Sequence, residues 1–191
     1  MGVLVVYAHP NPQSFNHAIL DHFTKGLTEA GHTTDVVDLY GIDFDPCVRL
    51  ADLAQFTDGE MPSDVVEQQQ KVTNADGIAM IHPIWGWSFP AILKGWMDRV
   101  FSYGFAYEAG ERGVRGLLED RKTTVMSTAG GPEEFYETAG YMDAFITTCN
   151  GIFNVSGIHS VEYPCFYGVR AAGDEGRKKY LEQAFTFGKT F

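Results

Sequence analysis

Three short stretches carry side chains whose chemistry goes beyond packing. The first, His9-Pro10-Asn11-Pro12-Gln13-Ser14-Phe15-Asn16, is polar and follows directly on an apolar run, Gly2 to Ala8. Ser14 or Asn16 can cap a helix starting there, and the first free N–H groups of that helix point outward with the positive end of its dipole behind them. Such a turn binds anions, phosphate above all. The second stretch, Pro83-Ile84-Trp85-Gly86-Trp87-Ser88-Phe89-Pro90, is the most aromatic loop of the chain, and its indoles, with Phe15 and Tyr136, offer flat apolar walls. The third, Thr128-Ala129-Gly130-Gly131, leaves backbone N–H groups open to a polar ring edge, because glycine has no Cβ to cover them. A planar aromatic ring with a phosphate tail satisfies all three, and a flavin is the economical candidate. A dinucleotide alone fits less well, since G-x-G-x-x-G does not follow the apolar run. The P-loop and G-x-S-x-G signatures do not occur either, which leaves nucleotide hydrolysis and the common serine esterase chemistry without support.

The elements that must position these loops alternate along the chain. Gly2 to Ala8 is rich in Val and bounded by Pro and Asn, the pattern of a strand buried on both faces of a parallel sheet. Ala18, Ile19, Phe23, Leu27 and Ala30 then mark a helix ending at Gly31, and Thr33 to Leu39 a second strand. Tyr40 to Pro62 is irregular and reads as a long connection. Asp64 with Glu67 forms a possible capping box for a helix through about Asn74. Asp76 to His82 is a third strand, and Pro90 suits the first position of a helix over Ala91 to Phe101. A glycine-rich connection, Ser102 to Asp120, precedes a fourth strand, Lys122 to Thr128. A helix over roughly Tyr141 to Phe153, a fifth strand around Ile158 to Tyr163 and a last helix from about Asp174 to Phe187 complete the chain. This alternation predicts an α/β fold, residues 1–191 forming a single domain around one doubly wound five-stranded parallel sheet with helices on both faces. In the flavodoxin-like order 2-1-3-4-5, the loops after the first and third strands flank the point where strand order reverses, and the loop after the fourth lies beside them.

Composition narrows the partners. A hydrophobic content of 45% with 20% charged residues is that of an ordinary globular chain, and a net charge of −11 argues against nucleic acid or an anionic membrane. Cys47, Cys149 and Cys165 are odd in number and widely spaced, which points to a reducing compartment and to no zinc site. The N-terminus has no basic flank of a signal peptide and no apolar run reaches about 18 residues, so the expectation is a cytoplasmic protein without stable membrane insertion. His17, His22, His32 and His159 have no metal-ligand spacing. His82, at a strand end, suits a structural hydrogen-bonder better than a catalyst. Trp96 and Phe101 belong to a core or interface, Asp98 and Arg99 to packing or dimer contacts, and Glu133 and Glu134 to a solvated loop.

The first loop, the run His82-Pro83-Ile84-Trp85-Gly86-Trp87-Ser88-Phe89-Pro90-Ala91-Ile92-Leu93-Lys94-Gly95-Trp96-Met97-Asp98-Arg99-Val100-Phe101, and Thr128-Ala129-Gly130-Gly131 together resemble the NAD(P)H:quinone oxidoreductase family, the DT-diaphorases and their shorter bacterial relatives. The resemblance covers nearly the whole chain. It implies a flavodoxin-like homodimer with a flavin at each of two sites shared between subunits. NAD(P)H would be the co-substrate, leaving after it gives up a hydride and making way for a quinone or other small aromatic acceptor in a ping-pong cycle. By matching position, Ser14, Phe15, Asn16 and Ala18 would hold the flavin phosphates with His9 beside them. Pro83, Ile84, Trp85, Gly86 and Trp87 would line the isoalloxazine, and Thr128, Ala129, Gly130 and Gly131 would bond its polar edge. Tyr136 falls at the family's active-site tyrosine, and Arg177 and Leu181 at positions near the far end of an FAD, which favours FAD with FMN as the alternative.

Two departures stand out. The animal enzymes carry a histidine six residues after the tyrosine; here the position is Met142, beside Tyr141, and neither relays a proton as imidazole does. The chain is also shorter at its C-terminal side than the animal enzymes, so the substrate side of the pocket does not carry over. The expected function is two-electron transfer from NAD(P)H to a quinone or similar acceptor. A second hypothesis is a flavin-binding, redox-sensing ancillary subunit of a potassium-efflux transporter, which short members of the family resemble. A third, a one-electron flavodoxin shuttle, is weakened by the lack of a Ser/Thr-rich phosphate loop after the first strand.

Overall fold

The apolar run at the start of the chain forms β1 (Gly2–Tyr7), followed by α1 (Phe15–Glu29) and β2 (Thr33–Asp38). The computed structural model describes residues 1–57, 59–111 and 113–191; Asp58 and Arg112, inside the two long connections of the sequence, lie outside the described residues. A 3-10 helix over Leu50–Phe56 leads to α2 (Ser63–Asn74), β3 (Gly77–Pro83) and α3 (Ala91–Val100). An antiparallel hairpin, β4 (Tyr107–Gly110) and β5 (Gly113–Gly116), falls within the glycine-rich connection. Then come β6 (Thr123–Thr128), α4 (Glu133–Thr138), α5 (Tyr141–Ser156), β7 (Val161–Glu162), β8 (Cys165–Phe166) and α6 (Gly173–Lys189).

The main sheet runs β2-β1-β3-β6-β7, parallel throughout, with β8 also paired to β6. This is the expected 2-1-3-4-5 order with the fifth position filled by two short pieces. They are separated at Tyr163-Pro164, because proline has no N–H to give a ladder, although the Pro164 carbonyl still accepts from the Ser127 amide at 2.9 Å. β3 and β6 are buried along their whole length, and the pleat of β1 sends alternate residues to opposite layers. Leu4 and Val6 join Trp96, Met97, Phe145 and Phe153 under α3 and α5, whereas Val3, Val5 and Tyr7 join Ile19, Phe23 and Ala184 under α1 and α6. Helices therefore cover both faces, and none among the described residues is long and apolar enough to cross a membrane.

Several local expectations change. Pro90 is the N-cap of α3, not its first helical residue. Asp64 and Glu67 form no capping box: α2 starts two residues earlier, with Pro62 as its N-cap, and the Asp64 carboxylate instead receives Arg99 Nη1 at 2.6 Å. Arg99 also donates to Asp52 Oδ1 and to the Asp45 carbonyl, both at 2.9 Å, so one buried guanidinium ties the irregular connection to α2 and α3. Glu133 and Glu134, expected in a solvated loop, form the first turn of α4, which also carries Tyr136. Trp96 is wholly buried, as its spacing implied.

Candidate active site

At the carboxyl end of the sheet, Ser14 ends the first loop as the N-cap of α1. Its Oγ accepts from the His17 amide at 3.2 Å, and the Tyr7 hydroxyl meets the same oxygen at 3.2 Å, so a buried phenol from β1 holds the cap in place. Asn11 closes the turn ahead of it by accepting the Gln13 amide. His9 Nδ1 accepts the Asn11 amide at 3.0 Å, which puts any ring proton of the neutral form on Nε2, and burial lowers its pKa. Its ring leans on Trp85, with centroids 5.8 Å apart.

Asn16, 4% exposed, faces inward from the first turn of α1. Its Nδ2 donates to Thr128 Oγ1 at 2.9 Å, tying α1 to the end of β6, while its Oδ1 has no hydrogen-bond partner among the described residues. A buried acceptor left open costs free energy unless something donates to it, so this oxygen marks a place for a ligand hydroxyl or N–H.

The aromatic loop folds as a tight turn in which Trp85 and Ser88 exchange two backbone bonds. Both central residues, Gly86 and Trp87, have positive φ, as a type I′ turn requires. Glycine adopts this freely; Trp87 adopts it against its own Cβ, and is held by stacking on Tyr141 with centroids 4.0 Å apart. Tyr136 meets the edge of the same indole at 5.5 Å and the ring of Tyr167 at 5.6 Å. Burial raises the pKa of the Tyr136 hydroxyl, an effect partly offset by the Gly131 amide.

These elements enclose a cleft of about 600 Å³. His9, Ser14, Phe15 and Asn16 line it from the first loop, Pro83, Ile84 and Trp85 from the second, and Thr128, Gly130 and Tyr136 from the third; Arg177 reaches it from α6. The other expected site residues stand behind or beside it. Gly86 and Trp87 form the exposed turn, and Ala129 is locked between β6 and the last loop through bonds with Phe166 and Val169. Gly131 lies under Tyr136, so close that a Cβ there would stand 3.3 Å from the ring. Ala18 spends its carbonyl on His22, and Leu181 packs into the core layer under α1. Met142 is buried in the opposite layer. The cleft also contains Val169 and Arg170, from the loop between β8 and α6. Sequence reasoning passed over them because no motif marks Gly168-Val169-Arg170; the one available signal is that this loop, too, leaves the carboxyl end of a strand.

The cleft thus brings together a helix N-terminus, Arg170, Arg177 (its Nη2 paired with Asp174 at 2.5 Å) and the Trp85 indole. It lies at the crevice between β1 and β3, from which the connections wind in opposite directions, the ligand position of doubly wound α/β proteins. The chain belongs to the flavodoxin-like fold family, whose model matches residues 1–191. It is 34% identical over 187 residues to an uncharacterised NAD(P)H oxidoreductase of Haemophilus influenzae, covering 96% of this chain and 92% of that one. It is 31% identical to the ribosyldihydronicotinamide dehydrogenase [quinone] of Rattus norvegicus over 94% of this chain and 87% of that one. Among solved structures, an NAD(P)H:quinone oxidoreductase from Methanothermobacter marburgensis superposes with a TM-score of 0.88 at 34% identity, over 99% of this chain and 98% of that one.

Proposed function

We propose that this chain is a single-domain, flavin-dependent NAD(P)H dehydrogenase of the cytoplasm, working as a homodimer and passing two electrons as a hydride to a quinone or similar aromatic acceptor by a ping-pong mechanism. The observation that carries this reading is the open Asn16 Oδ1, buried in a cleft whose other walls suit a phosphate and a flat ring. The named activities of the relatives support it from outside the chain.

The residues present fit a flavin. Ser14 and the α1 N-terminus would take its phosphate, with Arg170 and Arg177 adding positive charge. Asn16 Oδ1 would accept from a hydroxyl of its sugar chain. Trp85, Ile84 and Pro83 would face the ring, and Gly130, whose Cβ position has no heavy atom of the described residues within 4 Å, leaves backbone exposed toward the ring edge. Arg177 at the cleft favours FAD; Leu181, packed elsewhere, withdraws its share of that argument and keeps FMN as the alternative. When bound, the flavin supplies the hydride chemistry, and the protein's part is placement and electrostatics. Tyr136 keeps its proton and can donate a hydrogen bond into the cleft; the surrounding aromatic rings limit water.

An absorbance spectrum of the purified protein, before and after anaerobic NADH or NADPH, tests the reading, with the released cofactor identified by mass. A flavin band that bleaches rapidly is the expected result. A protein that stays colourless after flavin is added removes the flavoenzyme assignment.

A further inference from the structure

His82 ends β3 as a fully buried imidazole, walled by Phe89 and Phe145 at centroid distances of 4.9 and 5.8 Å. Its contacts select one tautomer. Nδ1 lies 2.9 Å from the Pro83 carbonyl oxygen, which can only accept, so Nδ1 carries the proton. Nε2 then presents its lone pair to the Ser127 hydroxyl, which donates across 3.2 Å. Burial pushes the pKa of the ring down to about 4, so at neutral pH both roles persist.

The peptide group that follows is held at both ends. The Pro83 oxygen accepts a hydrogen bond from His82 Nδ1, and the Ile84 N–H donates to the Thr128 carbonyl at 2.8 Å. Ser127 and Thr128 are neighbours on β6, in register with His82 and Pro83. The contacts therefore close on themselves, from His82 through the Pro83–Ile84 peptide to Thr128, back along β6 to Ser127 and again to His82. Asn16 joins this circuit through Thr128 Oγ1. Pro83, Ile84 and Trp85, which continue from it, form the wall of the cleft.

We propose that His82 is a positioning residue for that wall: by donating from Nδ1 to the Pro83 carbonyl it sets the Pro83–Ile84 peptide plane, and with it the places of Ile84 and Trp85. What the wall binds rests on the flavin reading above; the fixing of the peptide does not. A histidine present only to fill volume between two phenylalanines has no need of either polar contact, whereas here both ring nitrogens are used.

Two substitutions separate the contacts. His82→Asn sets an amide nitrogen near the place of Nδ1 and keeps the donor to Pro83 while losing Ser127; His82→Gln reaches toward the place of Nε2 and does the reverse. Three measurements apply: nitrogen NMR of the histidine-labelled wild type, amide hydrogen exchange at Ile84, and affinity for FMN, the portion common to both flavins, by fluorescence quenching. The wild type should show His82 protonated on Nδ1. The Asn variant should stay within about threefold of wild type in Ile84 exchange and FMN affinity, and the Gln variant should change both by about tenfold at a matched thermal midpoint. An Nε2-protonated ring in the wild type overturns the proposal even if neither variant folds. So does equal loss in the two variants, in step with thermal stability. A wild type that takes up no FMN removes the flavin reading alone, and the exchange comparison still decides the role of His82.

Discussion

A phenol only 6% exposed and set against a cleft is suited to giving a hydrogen bond, not to losing its proton, since burial raises the pKa of Tyr136. Six residues on from this tyrosine in α4, in the first turn of α5, stands Met142, packed in the core where an imidazole would be needed to take on a proton. Tyr136→Phe should therefore leave cofactor content intact and slow the reductive half-reaction by about tenfold, measured by stopped-flow absorbance with NADH or NADPH. An unchanged rate removes Tyr136 from catalysis. His82 makes a different statement about protons. The unfolded chain protonates this imidazole near its ordinary 6.5, the folded chain only near 4, so its contribution to stability is whole above the first value and is lost as pH falls toward the second. The loss should reach about 3 kcal/mol near pH 4. Denaturant unfolding across that range, on wild type and His82→Asn, checks it: the variant should lose stability with acid by less.

The same chemical change should act in opposite ways on two elements. Gly26 in α1 faces α6 so closely that a Cβ would stand 2.1 Å from the Phe185 carbonyl oxygen, and Gly188 answers it with a contact as short on Phe23. Gly26→Ala should then cost about 2 kcal/mol or more, read as a lower thermal midpoint. Gly130 has open space where a Cβ would go, so Gly130→Ala should leave the midpoint unchanged and weaken flavin binding. Elements differed in how well the residues announced them. β1, β3 and β6 are buried on both faces, so their apolar runs are unbroken and readable. The β4–β5 hairpin and α4 are too short to establish a period, and the capping box at Asp64 was overridden by Arg99, which lies 35 residues away in sequence. A local rule has no view of such a partner. Trp87 is a related case: its stacking on Tyr141, from a helix far along the chain, supports a backbone conformation that its residue type disfavours.

Over the whole molecule, charge and cleft stand opposed. A chain of net charge −11 brings two guanidinium groups, Arg170 and Arg177, to one cleft. Arg177 is paired with Asp174 at 2.5 Å, so against that background Arg170 should dominate attraction of phosphate-bearing ligands. Arg170→Ala should weaken flavin binding by about tenfold, more at low salt than at high, with the thermal midpoint of the flavin-free protein unchanged. Equal affinity in titrations of wild type and variant at low salt removes Arg170 from the site. The portion of the site legible in the sequence is the portion built from contiguous motifs, as with Ser14 to Asn16 or Pro83 to Trp85. Arg170 escaped because its role comes only from where a chain of unremarkable residues passes in space.

The break at Tyr163-Pro164 has a consequence for assembly. With the outermost strand position reduced to Val161–Glu162 and Cys165–Phe166, that flank of the sheet offers a second molecule no continuous row of free N–H and C=O groups. The opposite flank, β2, is exposed from Thr33 to Val36 and carries there the Asp35 carboxylate, paired with Lys71 at 2.8 Å. Zippering one sheet onto another is thus denied a template at the β7–β8 border, and at the β2 border it meets the charged Asp35–Lys71 pair on the edge strand, one of the devices that discourage edge pairing.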